Sequence, residues 1–230
     1  MIRSISRSFS GFLNYVFASL AISLLIVVSI SYFIFPLFIN LSYGMRIVVL
    51  FISLIIQVIC NNYVPRKLSS LMILHCIFIF ALSVSLSVIV APIIAYLGAA
   101  IVMQSAIITC CFSLGFLIYG IFFHKNTTFS LFLFYGLLCT SIILSLFYFI
   151  CLFVCPSLLN GISIFRSIIM IILNGVYIAY NITKLKEMEE KINDVAQLTY
   201  YGLLGSRELL TSIYSIFLNV LQILLNRRDN

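Results

Sequence analysis

LSSLMILHCIFIFALSVSLSVIVAPIIAYLGAAIVMQSAIITCCFSLGFLIYGIFFH, residues 68–124, runs for 57 positions without an Asp, Glu, Lys or Arg. A helix crosses the hydrocarbon of a bilayer in about 20 apolar residues, so this stretch is too long for one crossing and must hold two. Ser83, Ser85 and Ser87 lead into Ala91-Pro92 and supply the turn signal, which predicts helices over 68–88 and 92–123. Working outward, further charge-free runs cover Ser8–Met45 (38 residues), Ile47–Pro65 (19), Asn126–Phe165 (40) and Ser167–Thr183 (17). Asn126, Thr127 and Thr128 at one end and Cys155-Pro156-Ser157, Asn160 and Gly161 at the other leave room for one helix in the 40-residue run. The expected crossings are therefore 9–39, 47–64, 68–88, 92–123, 128–154 and 163–182, with a seventh apolar segment at 206–226 after a polar cytoplasmic segment, 183–205. The chain reads as one all-α, polytopic membrane domain over 1–230.

Charge supports this reading. Soluble chains carry about 25% charged residues; here the share is 8%, beside 63% hydrophobic residues, and all six carboxylates lie at or after Glu187. Basic residues flanking short loops stay on the cytoplasmic side. Arg3, Arg7, Arg66, Lys67, Lys125, Lys184, Lys186 and Lys191 place the N-terminus and the even-numbered loops inside, leaving Arg46 and Arg166 outside. A seventh full crossing would export Arg227 and Arg228, so the last helix either spans at some cost or re-enters. Topology and anionic lipid account for the net charge of +7, and no nucleic-acid binding is inferred. The apolar run continues past Ala18-Ser19-Leu20-Ala21 to Ile39, which favours a retained first helix over a cleaved signal.

Chemistry-bearing residues are sparse. Seven cysteines show no metal or disulfide spacing and read as apolar filler. His75 and His124 fall near expected helix ends, where a wet or hydrogen-bonded imidazole suffices. No Ser-His-Asp set and no phosphate loop can be assembled, so no enzymatic activity and no cofactor are expected. Ser87, Ala91, Ala95 and Ala99 recur every four residues, a small-residue seam for close helix packing. From Glu208, polar residues recur as Ser212, Ser215, Asn219, Gln222 and Asn226, one line down a helix. Helix six repeats this more sparsely in Ser167, Asn174 and Asn181. Such a line serves either interhelical hydrogen bonds or a wet conduction path. Glu208 itself has two readings. With Ser206 as N-cap it is an interfacial acid in a first helical turn; deeper in the membrane it is a candidate proton sensor.

The phrase Gly175-Val-Tyr-Ile-Ala-Tyr180-Asn181, the run Leu210–Asp229, the stretch Ala95–Ile101 and the turn from Gly120 to Ser130 occur in the order found in the Bax inhibitor-1/YccA family, which the chain resembles over nearly its whole length. The resemblance implies a seven-helix bundle with a central last helix wrapped by six others. It also implies one of two activities: restraint of an FtsH-type membrane AAA protease, or a pH-sensitive calcium leak governed by two aspartates. Those aspartate positions match Asn181 and Ser212, neither of which titrates. The phrase from Ser212 to Phe217 is closer to the YccA branch. The resulting expectation is a multi-pass inner-membrane protein that regulates membrane proteolysis and stress survival by contact, with lipid and a protease as partners. The alternative is a cation or proton path past Asn181, Glu208, Ser212, Ser215 and Asn219. A solute transporter ranks low, because no inverted repeat is detectable.

Overall fold

A helix carries all its backbone hydrogen bonds internally, which is what a chain this apolar needs in lipid. The computed structural model describes residues 2–122, 127–154, 158–189, 191–192 and 194–228. Its helices are α1 (Ile2–Ile39), α2 (Tyr43–Asn62), α3 (Leu68–Leu97), α4 (Ala99–Phe122), α5 (Thr127–Val154), α6 (Leu159–Glu189) and α7 (Val195–Arg228). Among the described residues, seven helices are long and apolar enough to cross a membrane. The chain is a multi-pass, all-α membrane protein in contact with the bilayer. The expectations attached to His124, Lys125, Asn126 and Cys155-Pro156-Ser157 lie outside the described residues.

Several boundaries differ from the sequence reading, and three departures have a clear physical reason. The third and fourth helices part at Gly98, not between Ser83 and Pro92. Gly98 adopts φ +83°, a conformation that side-chain-bearing residues rarely take, and its N–H closes α3 on Ile94 O at 3.0 Å. The serines do not break α3 because their hydroxyls turn back on the helix. Ser83 Oγ donates to Ile79 O at 2.8 Å and Ser85 Oγ to Ala81 O at 3.0 Å. Pro92 then lies inside α3. Much of the polar segment 183–205 is also helical, since α6 continues to Glu189 and α7 already begins at Val195. Asp194 caps that start: Ala196 N donates to its Oδ1 at 3.0 Å. Finally, α7 is unbroken for 34 residues, roughly 50 Å at helical rise, and does not turn back as a re-entrant segment would.

The helices group into two compact units. The first comprises residues 1–99 and 188–210. Here α1 and α2 pack on α3, and 61% of the most apolar 18-residue stretch of α3 is buried against 17% for that of α1 and 11% for that of α2. That difference makes α3 the core helix of the unit, in keeping with a sequence apolar on every side. Val16, Leu20, Leu71, Phe78, Leu82, Leu209 and Leu210 fill its interior. Arg46 sits at the C-terminal end of α1, donating from Nε to Leu41 O at 3.0 Å and from Nη2 to Ile39 O at 2.6 Å.

The second unit comprises residues 100–187 and 211–230. Two glycines set its packing. A Cβ on Gly120 of α4 would stand 3.0 Å from both Cα and O of Ala179 on α6. The two backbones meet only because Gly120 has no side chain. A Cβ on Gly175 would strike the Phe116 ring at 2.1 Å. Lys186 of α6 closes the C-terminal end of α4, donating from Nζ to Gly120 O at 3.3 Å and also to Ile121 O.

Candidate functional site

The polar lines of α6 and α7 face each other in the second unit. Gln222 Nε2 and Asn226 Nδ2 both donate to Ser163 Oγ, at 2.7 and 3.0 Å. Ser167 Oγ donates to Gln222 Oε1 at 3.2 Å. Asn174 Nδ2 donates to Ser215 Oγ at 2.9 Å and to Met170 O on its own helix at 2.7 Å. Rising numbers on α6 thus meet falling numbers on α7, which makes an antiparallel ladder of amides and hydroxyls. Each such interhelical bond is worth roughly 0.6 kcal/mol, so the ladder fixes register more than it supplies stability.

The candidate residues divide around this ladder. Ser215 is a rung. Asn219 Nδ2 bonds Ser215 O on its own helix at 2.8 Å. Ser212 and Asn181 are buried, at 2% and 3% exposure, and Asn181 Nδ2 makes no hydrogen bond among the described residues. Glu208 is half-buried and belongs to the part of α7 in the first unit. It does not sit in a first helical turn: thirteen residues of α7 precede it, starting at Val195. Ser206 is likewise no N-cap. Its hydroxyl donates to Leu203 O at 2.9 Å and pairs with Ser19 Oγ of α1 at 3.0 Å. The small-residue seam is split in the same way. Ser87 and Ala91 are buried on α3, where Ser87 Oγ donates to Ser31 O of α1 at 3.3 Å, whereas Ala95 is exposed and Ala99, also exposed, opens α4.

A second polar cluster, in the first unit, was missed by the sequence reading. Arg207 is 2% exposed, lies over the Phe78 ring at 5.9 Å and donates from Nη2 to Asn61 O at 3.3 Å. His75 is buried rather than at a wet helix end. Its Nε2 pairs with Ser23 Oγ at 3.0 Å, and its Nδ1 has no hydrogen-bond partner among the described residues. The available signal was Tyr200, Arg207 and Tyr214, spaced by seven and therefore on one helix face. It was obscured by starting the helix at residue 206. Among the described residues no group of three or more His, Cys, Asp or Glu side chains is placed to hold a metal ion.

The family model described as inhibitor of apoptosis-promoting Bax1 matches residues 9–229. The chain belongs to the Bax inhibitor-1 family. None of the curated proteins matches it significantly. The α6–α7 rungs are neutral, so they exchange hydrogen bonds and carry no charge, while the first unit buries two charged side chains, Arg207 and Glu189.

Proposed function

We propose that this Bax inhibitor-1 protein is a non-enzymatic regulator in a bacterial inner membrane, acting by contact on an FtsH-type AAA protease and so on stress survival. The observation that carries the reading is the neutral α6–α7 ladder, in which Ser163, Ser167, Asn174, Ser215, Gln222 and Asn226 spend their polar groups on one another. Asn181 and Ser212 stand where the resemblance places the acids of a pH-gated leak, and an amide and a hydroxyl do not titrate near neutral pH. The likeness of Ser212–Phe217 to the YccA branch points the same way. Exposed charges of both signs occur in each unit, Lys184 and Glu187 in the second and Lys191 and Asp194 in the first, and each pair offers a point of contact.

The second reading is a cation path past Asn181, favoured by the one observation that this buried amide nitrogen makes no hydrogen bond among the described residues. Calcium flux into liposomes containing the purified protein, from pH 6 to 8 beside empty vesicles, separates the two. A membrane as tight as the empty one, with photocrosslinks from positions 184 and 191 to the protease and slower turnover of its membrane substrates, is the expected outcome. A protein-dependent leak without any effect on proteolysis overturns the contact reading.

A further inference from the structure

We propose that the cleft between the start of α3 and the start of α7 binds the phosphate headgroup of an anionic phospholipid. The cleft encloses about 420 Å³, in the range of small-molecule sites, and is lined by Arg66, Leu68, Ala196, Gln197, Tyr200 and Tyr201. All six belong to the first unit. Its walls are tied together, since Tyr200 OH donates to Pro65 O, the residue before Arg66. Tyr200 and Tyr201 meet edge to face, with ring centroids 5.6 Å apart.

The lining chemistry selects the ligand. Arg66 is exposed and presents a guanidinium fork suited to two phosphate oxygens. Lys67, the next residue and also exposed, is not part of the cleft lining, so Arg66 is the cation of the site. Gln197 contributes an amide donor, and the tyrosines supply the amphipathic rings found at headgroup depth. The nearby acid, Asp194, is engaged with Ala196 N at the start of α7. The basic residues of the α2–α3 connection assign this end to the cytoplasmic leaflet, where anionic headgroups face the protein. The leucine and alanine leave an apolar edge for the glycerol backbone. This inference is independent of the protease reading.

The test is native mass spectrometry of the full chain in detergent, supplied with phosphatidylglycerol or with phosphatidylcholine of identical acyl chains. The wild type should retain phosphatidylglycerol roughly fivefold better, the expected contribution of one basic residue at the surface. Arg66→Gln should lower retention to the phosphatidylcholine level, and Gln197→Leu should weaken it while leaving charge unchanged. Arg166→Gln, the same loss of charge elsewhere, should have no effect. Equal retention of the two lipids, or equal losses in R66Q and R166Q, overturns the proposal. Displacement of phosphatidylglycerol by millimolar inorganic phosphate shows that the cleft reads free phosphate, which also overturns it.

Discussion

Gly120 provides the sharpest test of how the second unit is packed. Adding one methyl group there puts a carbon 3.0 Å from Ala179 Cα and O and 3.2 Å from Ile182 Cβ. Ordinary contact begins near 3.4 Å, and two of the three obstructing atoms are backbone, so relief requires α4 and α6 to separate by roughly 0.5 Å. Overpacking of this kind costs about 1–3 kcal/mol. The helix gains about 1 kcal/mol from replacing glycine by alanine, so the middle of that range leaves a net loss of about 1 kcal/mol. At roughly 2–4 °C per kcal/mol for a chain of this size, Gly120→Ala should melt about 2–4 °C below wild type. Melting is read as the fraction remaining monodisperse in detergent after heating. Gly136→Ala in α5, where the new carbon meets nothing within 4 Å, is the control and should not melt lower. A Gly120→Ala protein as stable as wild type, beside an unperturbed control, refutes the close approach of the two backbones.

The ladder makes a coupling prediction: in a double-mutant cycle, Asn174→Leu and Ser215→Ala should show an interaction energy of about 0.6–2 kcal/mol, and strict additivity would remove the rung. At the end of α1, Arg46→Gln should cost about 1 kcal/mol and raise amide exchange over the last turn near Ile39, measured by hydrogen–deuterium exchange. Unchanged exchange there would show that Arg46 is not a cap.

Much of this architecture was legible because lipid imposes a simple rule: apolar length counts crossings. The line from Ser212 to Asn226 was legible for a related reason, since a polar side chain at membrane depth must find a partner and its spacing records which face finds it. The errors arose where local signals were read with the habits of soluble chains. Ser83, Ser85 and Pro92 mark a turn in water. In α3 the hydroxyls of Ser83 and Ser85 bond backward to carbonyls of the same helix, and the helix ends only at Gly98, which takes a positive φ. Ser206 likewise resembled a cap, but a helix that continues 11 residues further back has no free first-turn amides there to cap. Gly120 and Gly175 could not be picked out as contact points because the sequence does not say which helix each one faces.

The near absence of carboxylates follows from where the cations are placed. A carboxylate at membrane depth is costly, so a chain that needs positive charge gains by satisfying it with other acceptors. Helix C-termini are such acceptors, since their last carbonyls are unbonded and carry the negative end of the macrodipole. Arg46 occupies that position on α1 and Lys186 on α4. Aromatic faces are another: Arg166 lies 5.2 Å from the Tyr148 ring centre and Arg207 5.9 Å from that of Phe78. Arg46 is therefore no breach of the inside-positive pattern in need of special explanation. It is held by the carbonyls of Ile39 and Leu41, and its place is set by the end of α1. Arg66 has neither a helix end nor a ring among its described contacts. By the same logic its partner is an anion that the membrane supplies.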